Sequence, residues 1–90
     1  MSARLYAISY DIPSDSRRVR IANALKSYGE RVQLSVFECW LAPDELAALK
    51  KRLERIYEAR EDSIRLYPTT TDASVMGAGR LSDDPDVLMM

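Results

Sequence analysis

Ninety residues make one domain with a modest core, and chains this short often gain stability by dimerising. With no histidine and a single cysteine, Cys39, the sequence excludes imidazole bases, His–Cys zinc sites and an internal disulfide, leaving carboxylates, hydroxyls, arginines and oxygen-bound hard metals for any chemistry. A net charge of −1 argues against a wholly basic nucleic-acid binder, while 47% apolar residues suffice for a globular fold.

Arg4 to Tyr10 (RLYAISY) has the mixed apolar composition of a central strand covered on at least one face. Asp11 stands at its end, and Pro13 and Ser14 break the run. Ser14 or Asp15 can cap a helix whose apolar positions are Ile21, Ala22, Leu25 and Tyr28. Gly29 then falls where a left-handed residue commonly ends a helix. From Arg31 to Leu41 β-branched and aromatic residues dominate, and Val32, Leu34 and Val36 alternate with Arg31, Gln33 and Ser35. The stretch is long for one strand, which predicts a tight hairpin near Leu34–Ser35. Pro43 opens a second helix, with Asp44 and Glu45 complementing its dipole. Leu46, Leu49, Leu53 and Ile56 carry its apolar stripe, predicting a helix to about Ala59. Glu61–Asp62 read as a turn, and Ser63 to Tyr67 (SIRLY) as a strand stopped by Pro68.

The order β-α-β-β-α-β predicts an α+β fold over residues 1–68: two helices on one face of an antiparallel four-stranded sheet, a ferredoxin-like sandwich. Residues 69–90 hold Gly77, Gly79, Pro85 and short apolar pieces among acidic residues. They are expected to add one or two edge strands, to the partner subunit's sheet in a dimer. No apolar run approaches the roughly 18 residues of a membrane span, and Met1-Ser2-Ala3-Arg4 does not read as a signal peptide, so the expected location is the cytoplasm.

The charge is unevenly spread. Up to Arg60 there are 11 basic and 8 acidic residues, and from Glu61 onward 2 basic and 6 acidic. Ten of the 13 basic residues are arginine, the side chain suited to forked phosphate contacts, so a basic patch on the front of the fold is compatible with the low pI. Arg17, Arg18, Arg20 and Arg31 are the candidate phosphate contacts; a solvated face pairing with Asp15 and Glu30 is the plainer alternative. Arg17 and Arg20 share a helix side, and Arg18 points elsewhere. Lys50, Lys51, Arg52 and Arg55 read as a solvated helix face mixed with Glu54 and Glu58. Asp11 is the candidate for chemistry, against the alternative that it only caps or turns the chain after the first strand. Ser35 and Phe37 alternate on one side of the second strand region. Ser35 suits turn hydrogen bonding better than nucleophilic attack, since nothing activates it. Phe37 and Tyr10 suit a core or an interface, and Trp40 and Cys39 are expected to pack.

Four stretches together carry a family pattern: Tyr10-Asp11-Ile12 with Arg17-Arg18 behind it, Tyr28-Gly29, Gln33-Leu34-Ser35-Val36-Phe37-Glu38, and Glu61-Asp62-Ser63-Ile64-Arg65-Leu66-Tyr67-Pro68. In this order and spacing the chain resembles the CRISPR-associated protein two family, the small adaptation endonucleases found beside the CRISPR integrase. The resemblance covers Arg4 to Pro68. It implies a ferredoxin-like homodimer with extra C-terminal strands, and a divalent-metal site (Mg²⁺ or Mn²⁺) formed at the dimer axis by Asp11 of each subunit. It places Ser35 and Phe37 near that axis and the acid, with Tyr10 near the site or the interface. One departure is that Cys39 follows the Ser-Val-Phe-Glu run, where the family often has glycine.

The resemblance implies two activities. One is metal-dependent cleavage of RNA or DNA phosphodiesters. The other is a non-catalytic scaffold that bridges dimers of the integrase, CRISPR-associated protein one, and holds the DNA to be inserted. The same sequence serves both. A third class, a small-molecule regulatory module on the same fold, usually binds its ligand at glycine-containing loops, and only Gly29 precedes Thr69 here.

Overall fold

A computed structural model describes residues 2–69. Its elements follow the expected order: β1 (Arg4–Asp11), α1 (Asp15–Lys26), β2 (Gly29–Gln33), β3 (Val36–Leu41), α2 (Pro43–Glu54) and β4 (Ser63–Pro68). The strands form one sheet in the order β2-β3-β1-β4, with every neighbouring pair antiparallel. That is the ferredoxin-like arrangement. The edge strands expected from residues 69–90 lie, apart from Thr69, outside the described residues.

Alternation along the strands divides the sheet into two faces. Ile8 and Tyr10 of β1 and Phe37, Cys39 and Leu41 of β3 point to the helices. There they join Ile21, Ala22, Ala24 and Leu25 of α1 and Leu49 and Leu53 of α2 in one core. The opposite face carries cross-strand partners such as Leu5 with Trp40 and Ala7 with Glu38. Trp40 is 56% exposed there, which corrects the expectation that it packs.

Local chemistry sets the boundaries. Ser14 caps α1, its Oγ accepting from the Arg17 backbone N–H at 3.3 Å. Pro43 takes the first position of α2, and the Glu45 carboxylate accepts from the Ala42 N–H at 2.8 Å. α2 stops at Glu54, short of the expected Ala59. The Tyr57 N–H still reaches the Leu53 carbonyl, but the Glu58 N–H donates to Asp62 Oδ2 at 2.8 Å, which turns the chain out of the helix. β4 runs one residue further than expected, through Pro68; it lies at the sheet edge, where a missing N–H is tolerated.

Gly29 does not end α1 in a left-handed conformation. Ser27 caps the helix with right-handed geometry, and Gly29 opens β2 opposite Cys39. A Cβ on Gly29 would run into the Glu38 carbonyl oxygen and lie 2.7 Å from Cys39 Sγ, so close backbone approach is what requires glycine.

Candidate metal and phosphate groove

Tyr10 is the hinge between the end of β1 and the β2–β3 turn. Its N–H donates to the Ser35 carbonyl at 3.1 Å, and its phenol donates to the Leu34 carbonyl at 3.3 Å. The expected hairpin turn at Leu34–Ser35 is therefore present and pinned next to Asp11. Ser35 sits in that turn and not on a strand face shared with Phe37. Leu34 leaves the apolar alternation of Val32 and Val36 and projects, 86% exposed, at the tip.

An open groove of about 540 Å³ results, lined by Tyr10, Asp11, Ile12, Arg18, Val19, Arg31, Leu34 and Ser35. Asp11 is exposed, and its carboxylate makes no hydrogen bond or ion pair among the described residues. Arg18 donates to the Ile12 carbonyl at 2.9 Å and pairs with Asp15. That holds a guanidinium beside the acid. Arg31 stands with its guanidinium 5.4 Å from the centre of the Phe37 ring, a cation–π placement. Phe37 itself is fully buried against Tyr10, with ring centres 6.3 Å apart. It supports the groove from below and contributes no surface to it.

The structure brings Asp11, Arg18, Arg31, Tyr10 and Ser35 together. Arg17 and Arg20 lie elsewhere. Arg17 is engaged by Asp62 and Glu61, and Arg20 lines a second groove beside α2. Sequence reasoning missed Ile12, Val19 and Leu34 as groove walls. The signal was there for Val19: it is an apolar residue off the Ile21–Ala22–Leu25 stripe, and it is 57% exposed.

Among the described residues no cluster of three or more His, Cys, Asp or Glu side chains could hold a metal. Asp11 is the one carboxylate among the described residues that line this groove. Two copies would offer two, which suits magnesium, an ion that keeps several waters and takes one or two carboxylates plus substrate phosphates.

Residues 4–76 match the model of the family described as CRISPR associated protein Cas2. The chain belongs to the Cas2 family. The matched segment spans the whole Asp11 groove. The chain is 49% identical over its full length to a "CRISPR-associated endonuclease Cas2 2" of Thermus thermophilus, itself covered in full. It is 47% identical to a "CRISPR-associated endoribonuclease Cas2 3" of Synechocystis, over 90% of this chain and 92% of that one. It is also similar to a chain of a solved "Partial Cas6-RT-Cas1--Cas2 complex", at 28% identity and a TM-score of 0.71, covering 84% of this chain and 93% of that one. The β2–β3 hairpin is paired at Cys39, where Gly29 leaves room for the sulfur.

Proposed function

We propose that this Cas2 chain acts in CRISPR adaptation as a homodimer that cleaves nucleic-acid phosphodiesters with a divalent cation, Mg²⁺ or Mn²⁺. The observation that carries the reading is the free, exposed Asp11 carboxylate at a strand end, flanked in one groove by Arg18 and Arg31. The nuclease names of the similar proteins support it.

Asp11 of each copy would hold the cation at the dimer axis. When bound, such an ion polarises a phosphoryl oxygen and makes water more acidic, so no side-chain base is required, which suits a chain without histidine. Arg18 and Arg31 neutralise and orient the phosphate. Arg31 keeps its position over the Phe37 ring, and Arg18 is anchored on the Ile12 carbonyl. Ile12, Val19 and Leu34 supply the apolar part of the groove lining. The Ser35 hydroxyl is available for a hydrogen bond to substrate and has no base to make it a nucleophile.

The test is cleavage of labelled RNA and DNA with added Mg²⁺ or Mn²⁺. The Asp11→Asn protein should lose at least about 100-fold in rate, the scale of removing metal assistance. Equal cutting by both proteins would trace the activity to a contaminant and remove the catalytic reading.

A second reading is favoured by the similarity to a chain of a complex that contains Cas1. Here the dimer bridges integrase dimers and holds spacer DNA without cutting. Spacer acquisition supported by Asp11→Ala together with the integrase would decide for the scaffold.

A further inference from the structure

Helix α1 separates two grooves. Arg18 and Val19 line the one beside Asp11; Arg20 and Asn23 line the other, a depression of about 330 Å³ completed by Arg52, Arg55 and Ile56. At about 100° per residue, Arg18 and Arg20 lie on opposite flanks of α1. Arg20 and Asn23 are three residues apart on α1, as are Arg52 in the last turn of α2 and Arg55 at its C-cap, so each forms a pair on one side. The two pairs meet in the second groove.

The structure sorts charges that the sequence leaves mixed. Glu54 turns to a different groove with Lys50, Tyr57, Ile64 and Leu66, and Glu58 belongs to the turn closed by Asp62. No carboxylate lines the Arg20–Arg55 groove among the described residues. None of Arg20, Arg52 and Arg55 is in an ion pair there; Arg52 donates only to Ser27 Oγ at 3.4 Å. Three guanidinium groups around one depression repel each other until an anion enters. The lining is rich in donors, with forked arginines and an amide, which matches phosphate. It has no aromatic ring on which an unpaired base could stack.

We propose that the Arg20–Asn23–Arg52–Arg55 groove is a second phosphate site that grips the backbone of duplex nucleic acid, apart from the Asp11 groove. This rests on the reading that the protein handles nucleic acid, but not on its cutting it. The experiment measures binding of short DNA and RNA duplexes to the full-length protein across a range of salt. It compares wild type, R52Q/R55Q, and the charge-matched control K50Q/K51Q. R52Q/R55Q should lower the slope of log affinity against log salt by about 0.9 for each phosphate no longer neutralised, and weaken DNA binding about tenfold at low salt. K50Q/K51Q should change both far less. Cleavage of a small phosphodiester, too short to span α1, should be the same in wild type and R52Q/R55Q. Equal duplex binding by the two double variants would overturn the proposal, and so would loss of integrase binding by R52Q/R55Q with duplex binding intact, which would make the groove a protein surface. A wild type that binds duplex through these arginines and never cuts would sink the catalytic reading alone.

Discussion

Arg17 and Asp62, 45 residues apart in the chain, form a two-pronged ion pair: Nε to Oδ2 at 2.8 Å and Nη2 to Oδ1 at 3.1 Å. It joins the first turn of α1 to the loop before β4. Asp62 also accepts the Glu58 N–H, and its side chain is wholly removed from solvent. A buried carboxylate this well supplied with donors is a structural feature, and Arg17 is committed to it.

The pair makes stability depend on acid. The Arg17 hydrogen bonds, helped by the Glu58 N–H, hold the Asp62 carboxyl below its ordinary value against the opposing effect of burial. A carboxyl with a depressed folded pKa stabilises fully above its unfolded value, about 3.9, and the stabilisation fades as pH falls through and below that value. Urea unfolding of the wild type should therefore weaken steeply below about pH 4. Asp62→Asn should be less stable than wild type at neutral pH, with a flatter response at low pH. Parallel curves for the two proteins would deny the pair this role.

Metal binding should count chains. With one free carboxylate per groove, Mn²⁺ is expected to bind at one ion per two chains and to disappear in Asp11→Asn. Calorimetric titration beside a sedimentation measurement of the dimer reads both. A ratio of one ion per chain would place the cation elsewhere.

Gly29→Ala should be costly although the residue is only half-buried. The added methyl meets the backbone of Glu38 as well as the sulfur of Cys39. Overpacking of this kind costs about 1–3 kcal/mol. Adding Cys39→Gly should recover only part of the loss, because the carbonyl remains. Full recovery in thermal unfolding would show that the sulfur alone sets the limit.

Cys39 should be inert. Burial, with a smaller contribution from Glu38, pushes its thiol up to about 11. Alkylation of the native protein at mildly alkaline pH should be at least about 100-fold slower than of the unfolded chain, since reaction waits on both exposure and ionisation. Rapid labelling of native protein would contradict the packing of β3 against the helices.

The fold was largely legible because each element carries a local signal. Ser14, Pro43 and the stripe of Leu46, Leu49 and Leu53 mark the helices, and the aromatic run to Leu41 marks the hairpin. What was hidden lies between distant residues. No local pattern announces that Asp62 captures both Arg17 and the Glu58 N–H, so α2 reads longer than it is and Arg17 reads as a candidate phosphate contact. Gly29 looks like a helix cap until Cys39 is seen across from it. Asp11 and Ser35 stood out at a strand end and a turn, but their meeting depends on Tyr10 tying the two, and the sorting of Arg18 from Arg20 depends on where α2 lies.

Because α1 stands as a wall with different side chains on its two flanks, no residue is shared between the depression beside the acid and the one beside α2. If the second depression grips a double helix as proposed, substitutions there would retune that grip and leave the Asp11 groove as it was. Relatives that differ along Arg52 and Arg55 would then diverge in retention and agree in turnover.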